Sequence, residues 1–82
     1  MKYTATLQKK AIKDLKSIPI QDRKRIIERI EELEDDLKGD VKRLTNHTPE
    51  YRLRCGNWRV LFEIEEEKII IYRILHRKEA YR

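Results

Sequence analysis

From Tyr51 to Phe62 the chain reads Tyr-Arg-Leu-Arg-Cys-Gly-Asn-Trp-Arg-Val-Leu-Phe, with apolar and cationic residues alternating on either side of Gly56-Asn57. A period of two sends successive side chains to opposite faces of an extended strand, and a central Gly-Asn supplies a two-residue hairpin turn. With that turn, Cys55 lies opposite Trp58, Arg54 opposite Arg59, Leu53 opposite Val60 and Tyr51 opposite Phe62. One face is then apolar and the other carries arginines. Like charges directly across a ladder cost stability, and Thr or Glu would serve a sequence selected only to fold. An anion is the missing partner. Planar guanidinium groups match phosphate bidentately, so the hairpin points to nucleic acid or another phosphate ligand.

The rest of the chain supplies layers for this hairpin. Tyr3 to Leu7 is a short β-prone run, and from Gln8 the spacing turns helical, with Ala11, Ile12 and Leu15 to one side until Pro19 interrupts. A second helix is expected from about Ile20 to Lys38, with Ile26, Ile27, Ile30, Leu33 and Leu37 as its apolar stripe and Gly39 as its stop. The stretch from Gly39 to Pro49, including Thr45, Asn46, His47 and Thr48, reads as a polar connection, with His47 a loop residue. Ile69 to Leu75 is apolar on nearly both faces and belongs inside a sheet. The expected architecture is α+β, in the order β-α-α-β-β-β, with a helical hairpin packed on a four-stranded, mostly antiparallel sheet of order 1-4-3-2. The first strand joins parallel to the fourth through the helical crossover.

Continuing the face arithmetic through a Glu66-Glu67 turn pairs Ile64 with Ile69, Phe62 with Ile71 and Trp58 with Leu75 on the core side. Arg59 then opposes Ile74 on the outer side, and His76 and Lys78 point outward with it. The same register sends Arg73 into the core, which is an objection to it, and a bulge or a longer turn would reverse these assignments.

A chain of 82 residues is one small domain spanning 1–82, too small for an active site between domains, so function sits on one surface. Lys and Arg number 20 against 15 Asp and Glu, a net charge of +5 that suits a polyanionic partner. The single cysteine excludes an intrachain disulfide and any multi-cysteine zinc site, and Cys55 on the apolar face is a small core residue rather than a nucleophile. The run Glu63, Glu65, Glu66 and Glu67 is a solvated turn, not a metal site. With neither an apolar leader nor a membrane-length apolar stretch, the cytoplasm is the expected location and no membrane partner is expected.

Leu44, the Tyr51–Ile64 run, the acidic turn, Ile-Ile-Ile-Tyr-Arg-Ile-Leu and His76-Arg-Lys-Glu-Ala-Tyr81 together resemble the RelE/ParE superfamily of bacterial toxin–antitoxin systems, on the RelE side. The resemblance covers essentially the whole chain. It implies an endoribonuclease that cuts messenger RNA, usually in the ribosomal A site, and that a co-expressed antitoxin, RelB-like or another small protein, holds inactive. The family's basic positions fall on Arg52, Arg54 and Arg59, then on His76, Arg77 and Lys78, and its C-terminal tyrosine on Tyr81.

Where family members can carry lysines, this chain has Arg52 and Arg54, which cannot realistically lose a proton. The implied chemistry needs no metal or other cofactor: the ribose 2′-hydroxyl attacks the adjacent phosphorus and the 5′-oxygen leaves. Arg54 and Arg59 are expected to stabilise the transition state and His76 to serve as general base or acid. Lys78 or Arg77 would neutralise the leaving oxygen, Tyr81 would orient or stack on a nucleotide, and Arg52 and Arg77 would bind RNA. Two alternatives remain open, a ParE-like inhibitor of DNA gyrase and a toxin fold that has lost its nuclease activity.

Overall fold

The computed structural model describes residues 1–81. In chain order it forms β1 (Thr4–Leu7), α1 (Lys9–Ser17), α2 (Ile20–Leu33), β2 (Asp40–Arg43), β3 (Tyr51–Cys55), β4 (Trp58–Glu65) and β5 (Lys68–His76). β3 and β4 pair in the register that the alternation requires, with Arg54 opposite Arg59 and Tyr51 opposite Phe62. Gly56 opens the turn at φ +59, a left-handed conformation that costs a residue without Cβ nothing.

The sheet has five strands in the order β1-β5-β4-β3-β2, not four in the order 1-4-3-2. The added strand is β2, antiparallel to β3 with Asp40 opposite Arg54 and Arg43 opposite Tyr51. Its sequence Asp-Val-Lys-Arg has one apolar residue and no alternation, so composition alone reads it as a connection. A short, charged strand suits the edge it occupies, because charge discourages pairing with another chain. β1 lies parallel to β5, and α1 and α2 provide the crossover.

α2 stops at Leu33 rather than Lys38. The backbone beyond it bonds to the N-terminus: Tyr3 N–H donates to the Glu34 carbonyl at 2.8 Å, and Asp36 N–H to the Met1 carbonyl at 2.8 Å. Asp36 and Leu37 take φ of +61 and +56, which ends the helical path. Asp35 bridges Lys38 and Lys2, and those two ammonium groups hold its carboxyl below the usual carboxylate range. Gly39 therefore does not stop the helix. At φ +123, a Cβ there would stand 2.9 Å from Leu53 Cδ1, so glycine lets the chain enter β2 against the core.

Both helices cover one side of the sheet, where Ala11, Ile18, Ile26, Ile30 and Leu33 meet Leu53, Val60, Phe62, Ile69, Ile71 and Ile74. The β4–β5 ladder keeps Ile64 opposite Ile69 and Phe62 opposite Ile71, then shifts between Leu61 and Phe62. Tyr72 becomes the extra residue, and the ladder resumes with Leu61 opposite Arg73, Val60 opposite Ile74, Arg59 opposite Leu75 and Trp58 opposite His76. Ile71 and Ile74 are thereby both buried, while Arg73 is spared the core. Its guanidinium makes a bidentate pair with Asp14 of α1 at 2.8 and 3.1 Å, and Asp14 Oδ2 also accepts the Ile74 N–H at 3.0 Å. That carboxylate ties α1 to β5 past the point where β1 pairing ends.

Two outcomes check this packing. Gly39→Ala is expected to lower the urea midpoint by an amount equivalent to about 1–3 kcal/mol, since Leu53 must move; an unchanged midpoint contradicts the close approach. Cys55 is buried, which pushes its thiol pKa up. Folded protein is therefore expected to resist alkylation at neutral pH and to label only after denaturation. Because the native state keeps this proton when the unfolded chain loses it, the associated stability is present below about pH 8.5 and fades above it.

Candidate nucleic-acid interface

The alternation that buries Leu53, Val60 and Phe62 places Arg52, Arg54, Arg59, Leu61 and Glu63 on the outer face of the sheet, away from the helices. Arg54 is exposed and has no ion-pair partner among the described residues. Arg59, directly across the ladder, is half-buried, and its Nη1 donates to the Gly56 carbonyl at 2.8 Å and the Trp58 carbonyl at 2.9 Å. The hairpin turn thus fixes one guanidinium while its neighbour stays free. Two positive charges meet here with no counter-charge of their own on β3 or β4, and Asp40, opposite Arg54 on β2, is engaged elsewhere.

Asp40 binds Arg52. Arg52 Nη1 donates to the Asp40 carbonyl at 2.7 Å and to its Oδ1 at 3.1 Å, leaving that side chain 14% exposed. Arg52 is therefore tied to the edge strand. Arg77 N–H donates to the Asn57 carbonyl at 2.8 Å, so this exposed arginine follows β5 beside the turn that carries Arg59. Lys78 is exposed, and its backbone N–H donates to His76 Nδ1 at 3.3 Å.

His76 does not point outward with Arg59. The bulge moves it opposite Trp58, whose ring it meets edge-on at 5.4 Å, and Trp58 Nε1 donates in turn to Asp22 of α2 at 3.0 Å. The cleft it lines also holds Asp14, Ser17, Ile18 and Arg73, on the helix side. Trp58 and Leu75, expected opposite one another, lie on different faces for the same reason.

The C-terminal segment returns across the outer face. Leu61 and Ala80 are the buried apolar residues outside the main core cluster, and Tyr81, 48% exposed, sets its ring 6.0 Å from His47 at an interplanar angle of 79°. The loop carrying His47 folds onto the same face, where Thr48 and Pro49 line a cleft with Glu63 and Tyr72. The sequence hides His47 because its proximity to Tyr81 depends on two segments remote in the chain. Thr48-Pro49 marks a turn but does not say where the turn docks. The structure thus gathers Arg54, Arg59 and Arg77 at one end of the outer face and His47 with Tyr81 in the loop region, and it removes His76 to the other side.

Residues 6–81 match the family model described as the ParE toxin of the type II toxin–antitoxin system parDE. The toxin RelE3 of Methanocaldococcus jannaschii is 43% identical over 75 residues, which span 85% of each chain. Toxin–antitoxin crystal structures are also similar: the RelB-RelE complex from Methanococcus jannaschii at 39% identity and TM-score 0.74, covering 88% of this chain and 89% of that one. The archaeal RelE-RelB complex from Pyrococcus horikoshii OT3 follows at 28% identity and TM-score 0.76, covering 98% and 100%. With its cationic hairpin, crossover helices and returning C-terminal segment, this chain belongs to the RelE/ParE toxin superfamily of type II toxin–antitoxin systems.

Proposed function

We propose that this toxin is an endoribonuclease that cuts messenger RNA on the ribosome, at the A site, without a metal. The observation that carries the reading is the facing Arg54–Arg59 pair, an arrangement unfavourable for folding that becomes favourable once a phosphate lies between the two guanidinium groups. In the attack of a 2′-hydroxyl on phosphorus, negative charge grows on the non-bridging oxygens, and donors fixed in advance stabilise it most where it is largest. Arg59, held by two turn carbonyls, is such a donor. Arg54 supplies the second fork, Arg77 and Lys78 extend the positive field to the leaving 5′-oxygen, and Arg52, braced by Asp40, serves RNA binding. Tyr81 presents an exposed ring for a base.

A RelB-like antitoxin is the proposed partner, as in the RelB-RelE complexes this fold matches. Exposed Ile12, Ile20 and Ile27 stand on helices that also carry Lys9, Lys10, Lys13 and Lys16, a surface suited to an acidic amphipathic segment. Cytoplasmic residence follows from the proposed target, messenger RNA on ribosomes.

A second reading, inhibition of DNA gyrase, draws support from the family model, which is that of a ParE toxin. Primer extension on messages after induction, run beside a gyrase supercoiling assay, separates the two. Discrete cleavage with unimpaired supercoiling is expected; lost supercoiling with intact messages overturns the ribonuclease reading. Arg59→Ala should remain folded and lose on the order of 100-fold in cleavage rate, and Arg59→Lys should recover only part of it, since a point charge replaces a fork. Retained cleavage in folded Arg59→Ala contradicts the role given to this residue.

A further inference from the structure

We infer that Arg52 is a positioning residue that serves RNA binding through Asp40 rather than by touching RNA: it occupies the carboxylate opposite Arg54 and so keeps Arg54 free for phosphate. This rests on the reading of Arg54 and Arg59 as the phosphate site.

Side chains directly across an antiparallel ladder share a face, so two rows of charge cross the outer side of β2, β3 and β4. Asp40, Arg54 and Arg59 form one row, and Lys42, Arg52 and Leu61 the next. Among the described residues, Asp40 supplies the only carboxylate in either row. Its natural cross-strand partner is Arg54, of opposite charge and directly facing it. Yet Arg54 has no ion pair among the described residues, and Asp40 is held instead by Arg52 from the neighbouring row.

Three features favour Arg52. Lys42, directly opposite it, repels it toward the row of Asp40. Its Nη1 reaches two acceptors of one residue at once, the main-chain carbonyl at 2.7 Å and Oδ1 at 3.1 Å. Its side chain is only 14% exposed, so solvent screens this pair less than it would an ion pair made by the exposed Arg54. The same burial leaves little of Arg52 for a bound strand to touch.

Without the Arg52 guanidinium, the Asp40 carboxylate would turn to Arg54, a cation on its own row with no other partner. One of the two facing forks would then be neutralised before RNA arrived, and a phosphate would have to displace a carboxylate to reach it. With Arg52 in place, Asp40 is satisfied within the protein, and the repulsion between Arg54 and Arg59 stays unrelieved until an anion binds.

Binding of a single-stranded 2′-O-methyl RNA, which presents phosphates but no attacking hydroxyl, tests this over a range of salt concentrations. Arg52→Met removes the guanidinium and keeps an apolar stem, which preserves packing. It should weaken binding on the order of ten-fold, as losing a charge-assisted hydrogen bond does, and lower the salt slope by about 0.7, the value of one phosphate contact on a single strand. Arg54→Thr should do the same. Asp40→Asn should bind at least as tightly as the parent, and adding Arg52→Met to it should cost nothing further, since no carboxylate remains to be held. That recovery is possible only if the Arg52→Met chain folds. A double variant as weak as Arg52→Met alone makes Arg52 a direct RNA ligand and overturns the inference, as does an Arg52→Met variant that binds like the parent. If Arg54→Thr binds like the parent, the facing pair is not the phosphate site, and the inference falls with that reading.

Discussion

A slip of one residue between β3 and β4 would put Leu53 on the opposite face from Val60 and Phe62 and expose one set or the other, so burial of all three locks the Gly56-Asn57 turn into a single register. That register leaves no choice about where Arg54 and Arg59 meet. The core therefore holds the two guanidinium groups together against their mutual repulsion, which over many buried apolar contacts it can readily do. The same burial that specifies the fold sets the two arginines face to face, and Arg59 is braced further by the carbonyls of the turn itself.

The bulge opposite Leu61 has consequences on both sides of the sheet. Without it, continued alternation after Ile71 would bury Arg73 and expose Ile74. One extra residue lets Ile69, Ile71 and Ile74 all face the helices and frees Arg73 to pair with Asp14. It also reverses the face of everything that follows in β5, which is how His76 comes to lie against Trp58 rather than beside Arg59. A single backbone irregularity thus sets His76 on the helix side, away from Arg54 and Arg59.

The sequence discloses these features unequally, for physical reasons. The β3–β4 hairpin is legible because alternating Arg and apolar residues are incompatible with any other local structure, and the parallel β1–β5 pairing follows because an apolar central strand needs a neighbour on each side. β2 is illegible because an edge strand has little apolar surface to advertise. The bulge is signalled only by Arg73, which unbroken alternation would bury, and its place is hidden because Ile69 to Leu75 is apolar on nearly both faces. The end of α2 at Leu33 is set by hydrogen bonds to Met1 and Tyr3, and the place of His47 by the returning C-terminal segment, both contacts between remote parts of the chain. Of the candidate site, the facing arginines are legible in the alternation, and the places of His47 and His76 are not.

The central claim is that Arg54 is kept opposite Arg59 for an anion and at a cost to folding. Arg54→Thr measures both halves, because Arg54 has no ion pair among the described residues to lose and threonine suits a strand. At low ionic strength its urea midpoint should rise by the equivalent of about 0.2–1 kcal/mol, while affinity for single-stranded RNA falls and the salt dependence of binding flattens. A variant with unchanged or lower stability that still binds RNA as tightly as the parent would contradict the account.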